Sequence, residues 1–385
     1  MKIIHCCLAA VYNDNHSYQE NILPKMHKMQ GHHVSIVAST ETFINNMQLG
    51  YVKPSVYTTE YGVKLSRLEY SKILPNFIIK KLRIYKGLMD DLNEFKPDCI
   101  FLHDIQFLSI YTIIKYLKKN SNVVVYADGH TDFINSARNF ISKHILHKVV
   151  YRMCAKAIEP YTRKFYGVLP LRVDFFKEVY KISPDKVELL VMGGDLTNID
   201  FSKKEQIRQD IRISLEVSVD DFLIITGGKI DSRKGIIELM KAICQLDNGV
   251  KLLVFGSVAQ DIQNEFNELV NSNNIRYLGW IPSELIYKYF FAADLSFFPG
   301  THSVLWEQSV SLGIPGVFKK WEGIQHIDIG GNVLFIDLVN VNNIKNIILE
   351  IISDKTLFER MKKVASEKGI PSFSYYEIAK KALEN

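Results

Sequence analysis

The segment Gly227-Gly228-Lys229-Ile230-Asp231-Ser232-Arg233-Lys234-Gly235 follows a buried apolar run and precedes IIELMKAI, a helical pattern. Two glycines let main chain approach a ligand closely, and a helix start presents unpaired N–H groups. Lys229, Arg233 and Lys234 add positive charge, and together these features suit a diphosphate. The spacing is neither that of a Walker loop nor that of the GxGxxG dinucleotide fingerprint. A second segment, FFPGTHSVLWEQSVSLGIPGVF, passes from a strand through a loop with His302 and Ser303 into a short helix carrying Glu307. A carboxylate in the first turns of a helix can accept two hydrogen bonds from a ribose diol. A surface turn with solvated lysines and a ligand-free helix glutamate are the bland alternatives.

These segments need a scaffold. Short apolar runs alternate with helical stretches, which predicts βαβ units and mostly parallel sheets. Strands are expected at 3–10, 33–38, 99–103, 123–127 and 187–192, and a second series at 222–228, 251–257, 275–280, 295–300, 314–318 and 333–337. Residues 195–220 lose the strand pattern and read as a linker; 373–384 read as an isolated amphipathic helix. The expected architecture is α/β: two Rossmann-like, doubly wound domains facing across a cleft, with ligands at the carboxyl ends of the strands.

At 385 residues, 47% hydrophobic and 23% charged, the chain is too apolar and too evenly mixed for a disordered, collagenous or coiled-coil protein. Its five cysteines form neither a metal knuckle nor a secreted disulfide framework, so a reducing cytoplasm is expected. The opening MKIIHCCLAAVYNDN imitates a signal peptide, but its apolar run is broken and it reads better as a buried strand. No stretch approaches the roughly 18 uncharged apolar residues of a membrane-spanning helix, so any membrane contact is expected to be peripheral. Residues 1–190 hold 26 Lys+Arg against 17 Asp+Glu, and residues 191–385 hold 21 against 25. Within the basic half, Arg138–Lys164 carries seven basic residues among apolar ones and reads as an amphipathic helix suited to anionic headgroups at the inner face of a membrane. Nucleic acid is not expected, since no recognition motif accompanies the charge.

The order GGKxxxxKG, a strand with VFG, IRYLGWIPSELIYKYFFAADLSFFP and then WEQSVSLGIP resembles the donor domain of family 4 glycosyltransferases, which have the GT-B fold. YQENILPKMHKMQGHHVSIVAS, KVELLVMGGD and FSYYEIAKKALE resemble that family's opening helix and second strand, its NGVD turn and its closing helix. The resemblance implies an acceptor-binding domain at 1–195, a nucleotide-sugar donor domain at 196–371 and a crossing helix at 372–385 that packs back on the first domain. It implies a retaining transferase of the hexosyltransferase class, moving a sugar from a nucleotide diphosphate to a saccharide or lipid-linked acceptor, as in bacterial surface polysaccharide or lipopolysaccharide assembly. A nucleotide-sugar 2-epimerase of the same fold and a non-catalytic partner protein are the rival readings.

Residue by residue, Lys229 stands where the family usually has arginine and Lys234 where it has lysine, both neutralising the departing diphosphate. Gly228 and Arg233 fall in the same donor loop, and Glu307 matches the second glutamate of the paired-glutamate motif. The first glutamate of that motif is replaced by Pro299, which leaves His302, Ser303 or the N–H groups of 303–305 for the sugar or phosphate. His130 matches the histidine that faces the donor sugar, where it orients by hydrogen bond and stabilises developing charge. Asp128 and Asp132 flank it and suit the acceptor side; His103, followed by Asp104, is the competing histidine. Asn15 lies in the loop after the first strand, as acceptor contact or helix cap, with Tyr18, Gln19 and Glu20 beside it. No HxxxH or DxD spacing accompanies these groups, so no metal and no cofactor beyond the donor is expected.

Overall fold

Lys2–Cys7, all but its first residue buried, is strand β1. The computed structural model describes residues 1–385 apart from 15, 45–47, 74, 133–140, 248 and 385, and apart from the side chains of 141–144. The chain divides into two units, residues 1–191 with 378–385, and residues 192–377.

The first unit is built on eight strands in the order β10-β9-β8-β7-β1-β2-β6-β5, parallel except for β5 against β6. After β1 come β2 (His33–Ser39), β3 (Glu41–Ile44), β4 (Gln48–Tyr51), β5 (Ser55–Thr58) and β6 (Lys64–Leu68). They are followed by β7 (Cys99–His103), β8 (Val124–Gly129), β9 (Thr162–Gly167) and β10 (Val187–Leu189), while β3 and β4 pair as a separate hairpin. Strands β1, β7 and β8 are apolar because helices cover both faces; Ile4, Ile100, Leu102, Val125 and Ala127 are fully buried there.

Two of these strands carry no apolar signature. β6, KLSRL, is buried although it contains Arg67, whose guanidinium donates to the carbonyls of Tyr12 (2.8 Å) and Ser39 (2.9 Å) and to Asp14 (2.7 Å). A charge this well bonded is tolerated inside, so polarity hides the strand. β9 begins at Thr162, so Arg163 and Lys164 belong to a strand and not to the long basic helix expected over 138–164. That helix is observed as a wide-turned stretch, Ile141–Tyr151, continued by Arg152–Ile158.

The second unit has six parallel strands in the order β13-β12-β11-β14-β15-β16. They are β11 (Phe222–Ile230), β12 (Val250–Val258), β13 (Ile275–Tyr277), β14 (Leu295–Phe298), β15 (Gly316–Lys319) and β16 (Val333–Ile336). The polar stretch expected as a linker contains the helix Lys204–Ser214. Arg208 and Arg212 on it bond Asp294 at 2.6 and 3.3 Å and both donate to the carbonyl of Ala292 at 2.9 Å. Its polar residues therefore satisfy the open carbonyls at the end of the helix Ile286–Ala292, and the absence of an apolar stripe is no sign of a loop.

Candidate functional site

In the second unit the strand order reverses between β11 and β14, which are neighbours, so the loops that follow them diverge. Open α/β sheets bind ligands at such a switch point. β11 delivers Gly227-Gly228-Lys229, and Gly228 has φ +104°, a left-handed value that favours glycine. β14 delivers Pro299-Gly300-Thr301-His302-Ser303. Gly300 lies against the main chain of Lys234, where an added Cβ would come within 2.3 Å. Only glycine lets the two loops touch.

Lys234 is half-buried, and its Nζ donates to the carbonyl oxygens of Thr301 (2.8 Å) and His302 (3.2 Å). Burial lowers its pKa to about 8, with Asp231 opposing the shift. Lys229 is exposed at the end of β11. Arg233 is exposed and held by Asp231 through Nε (3.2 Å) and Nη2 (2.6 Å). Ser303 Oγ accepts from the N–H of Leu305 (3.4 Å), at the start of the helix Leu305–Ser311.

Glu307 is fully buried on that helix, and its Oε1 accepts from His302 Nε2 (2.8 Å) and His326 Nε2 (2.9 Å). Burial would raise its pKa; the two histidines override that and hold it down to about 2. Glu307 Oε2 and His326 Nδ1 are buried without a hydrogen-bond partner. An ionised carboxylate with one oxygen anchored and the other unsatisfied lacks a donor. Pro299, in place of a first glutamate, lies beside Gly235.

In the first unit the order reverses between β1 and β7, and the polar groups gather at the carboxyl ends of β7 and β8. Asp128 is fully buried at the end of β8; its Oδ2 meets His103 Nδ1 (2.8 Å) and accepts from Gln19 Nε2 (3.0 Å). Its Oδ1 accepts from the N–H of Asp104 (3.2 Å) and lies 3.6 Å from His130 Nε2. Burial would raise the Asp128 pKa, but His103 and His130 hold it well below the usual carboxylate range. Burial would lower His130; Asp128, then Asp104 and Glu20, raise it instead to about 9. Asp104 sits at φ +62° and accepts from the N–H of His130 (3.0 Å) and from Gln106 (3.1 Å). Asp132 accepts from Arg172 Nε (3.2 Å).

His103 and His130, the two candidate histidines, flank the same carboxylate. Asn15, named from sequence, lies outside the described residues. Beside its loop is a cavity of about 280 Å³ lined by Tyr12, Asp14, Asn21, Tyr57, Thr59 and Tyr61. Among the described residues no three His, Cys, Asp or Glu side chains are grouped to hold a metal ion.

Residues 207–368 match the family model described as glycosyl transferases group 1. The second unit is a glycosyltransferase domain. No curated protein matches the chain. Among solved structures it is similar to sucrose-phosphate synthase from Thermosynechococcus elongatus, with 17% identity, 99% of this chain and 96% of that one covered, and a TM-score of 0.66. Anabaena HepE in complex with UDP shares 14% identity over 99% and 98% of the two chains at a TM-score of 0.69. WaaG, a glycosyltransferase involved in lipopolysaccharide biosynthesis, shares 14% over the whole of both chains at 0.61. At such identities the likeness is one of fold, and the fold is GT-B, two Rossmann-like α/β domains with mostly parallel sheets.

Three residues of the candidate sites carry no signal in the sequence. His326 sits in the loop after β15 with no motif around it, and its only signal is its pairing with Glu307 in space. His5 and His27 lie in MKIIHCC and LPKMHKM, where a lone histidine among apolar residues reads as core.

Proposed function

We propose that the protein transfers a sugar, with retention, from a nucleoside diphosphate donor to a saccharide or lipid-linked acceptor in surface-glycan assembly. The observation that carries this is the buried, ionised Glu307 with Oε2 unsatisfied, joined through His302 and the 301–302 carbonyls to the Lys234 ammonium. Glu307 takes a ribose hydroxyl on Oε2. Lys234, with Lys229 and the N–H groups near Gly228, neutralises the diphosphate as it leaves; Arg233 joins once it parts from Asp231. His302 and Ser303 serve the sugar side in place of the missing first glutamate.

His130, protonated and backed by Asp128, supplies a hydrogen bond and positive charge to the donor sugar, while Asp132 and the tyrosine-lined cavity serve the acceptor. A thermal-shift screen against UDP, GDP, ADP, CMP and their sugar conjugates tests this reading. One nucleotide is expected to stabilise the fold by about 2.7 kcal/mol at 100 times its dissociation constant. Glu307→Ala is expected to remove that shift for the nucleotide but not for inorganic pyrophosphate. No shift with any nucleotide would overturn the donor site.

We further infer a peripheral membrane contact for the first unit, at the inner face of the membrane. Ile145, Val149 and Met153, spaced by four, are each about half exposed, with Lys148, Arg152 and Lys156 interspersed. Arg138 and Phe140 of the same stretch lie outside the described residues. No described helix is long and apolar enough to cross a membrane. Cosedimentation with anionic vesicles is expected to fall at least tenfold in Ile145→Ser/Val149→Ser/Met153→Ser, since three partly buried apolar side chains are each worth about 1 kcal/mol or more. Unchanged cosedimentation would remove the contact.

A further inference from the structure

Behind Asp128 runs an unbroken file of three buried imidazoles. His103 Nε2 is 2.9 Å from His5 Nδ1, and His5 Nε2 is 3.0 Å from His27 Nδ1. His27 Nε2 is 2.9 Å from the carbonyl oxygen of Ala379. All three rings are almost wholly shut from solvent, and Phe101 packs against each of them. β1, β7 and the helix Gln19–Met29 supply the rings, and the helix Tyr375–Lys381 supplies the terminal carbonyl.

The file has four hydrogen bonds, and each needs one N–H. Its two ends, the Ala379 carbonyl and the Asp128 carboxylate, can only accept. Three neutral imidazoles own three N–H groups between them. Four bonds therefore require four protons on three rings, one more than neutrality provides. The donors already pointing at Asp128, from Gln19 and the Asp104 main chain, leave that carboxylate no reason to carry the extra proton itself.

We propose that His27, His5 and His103 form a relay holding one excess proton, seated on His103, which keeps Asp128 ionised and fixed in the orientation that supports His130. The placement on His103 follows from Coulomb's law, since that ring alone touches the carboxylate. Burial, reinforced by neighbouring histidines, lowers the pKa of His5 well below its ordinary value; burial foremost lowers His27 to about 3. Both effects drive the charge toward His103. The other ionisable groups facing the file are His32 at its far end and Glu20, Asp104 and His130 around Asp128. His5, His27 and His103 act as positioning residues, and the consequence for His130 rests on the donor-site reading above. The proton count does not.

The test counts N–H groups by nitrogen-detected NMR of the full chain labelled on histidine, near neutral pH and without substrate. In the wild type His103 is expected to carry protons on both ring nitrogens, giving four N–H groups over the three rings. His27→Leu removes the Ala379 demand; two rings then serve two bonds with two N–H groups, and His103 loses one proton. In His27→Gln the amide NH₂ donates to Ala379 and the amide oxygen accepts from His5, so three bonds remain on two rings and His103 keeps both protons. A buried histidine of purely structural role would show no such contrast between leucine and glutamine. Three N–H groups in the wild type, or a His103 unchanged by His27→Leu, would overturn the relay. If His27→Leu fails to fold, the wild-type count decides alone. Because no substrate is present, a wrong donor assignment leaves this result untouched.

Discussion

Replacing Lys234 by alanine is expected to lower kcat/KM for sugar transfer by on the order of a thousandfold, mostly through kcat, because a cation aimed at a departing diphosphate gains most as charge develops. The ammonium is held by the Thr301 and His302 carbonyls, and burial has brought its pKa down from 10.5 to about 8. A diphosphate beside it restores the preference for the charged form. A lysine whose pKa is low when free and high when bound takes up a proton on binding, wherever part of it is neutral. Donor affinity is therefore greatest below pH 8 and declines as pH rises above it. Calorimetric titration with the nucleoside diphosphate at about pH 8.5, in two buffers of different ionisation enthalpy, is expected to show that uptake, and Lys234→Ala to abolish it. Equal heats in both buffers would place Lys234 away from the phosphates.

The doubly buried strands were legible because burial on both faces leaves a continuous apolar run: β7 is observed at the expected 99–103, and β11 and β12 overlap their expected spans closely. Strands that bury polar groups were not. β6 hides Arg67 by bonding it to carbonyls, β5 pairs antiparallel at the sheet edge with exposed residues, and β9 starts in TRK after a helix. The helix Lys204–Ser214 was missed for the converse reason, since its arginines serve carbonyls and Asp294 instead of a core.

The same division runs through the candidate site. Glycine-rich turns and the residues placed by resemblance, Lys234, Glu307 and His130, could be named from the chain. Their partners could not, because His326, His5 and His27 acquire meaning only when distant segments meet: His5 and His103 are 98 positions apart, and His27 and Ala379 are 352 apart. The replacement of a family glutamate by Pro299 reads from sequence as a loss. In the structure, His302 and His326 from two neighbouring loops meet Glu307 on the helix Leu305–Ser311 and keep that carboxylate ionised.

His130→Ala is expected to reduce kcat/KM by about a hundredfold to a thousandfold, the usual cost of removing one preorganised donor from a developing charge. The pH profile separates that role from general-base catalysis. His130 is raised from 6.5 to about 9, because Asp128 with Asp104 and Glu20 outweighs burial, so at neutral pH it is a cation and has no lone pair for a proton. Activity is expected to persist through neutrality and to fall in two alkaline steps, one near 8 as Lys234 loses its proton and one through about 9 as His130 does; a base would give the opposite limb, gaining activity as it deprotonates. The stability linkage has the same sign: a histidine raised on folding stabilises fully below its unfolded pKa, and that contribution is lost as pH climbs through the folded value. Asp128→Asn removes the leading cause of the rise and leaves only Asp104 and Glu20 to oppose burial, so the upper alkaline limb is expected to move down from about 9. A profile of kcat/KM against pH for the wild type and Asp128→Asn makes the comparison. An upper limb that does not move would mean that His130 takes its charge from elsewhere, and a limb that rises with pH in the wild type would make it a base.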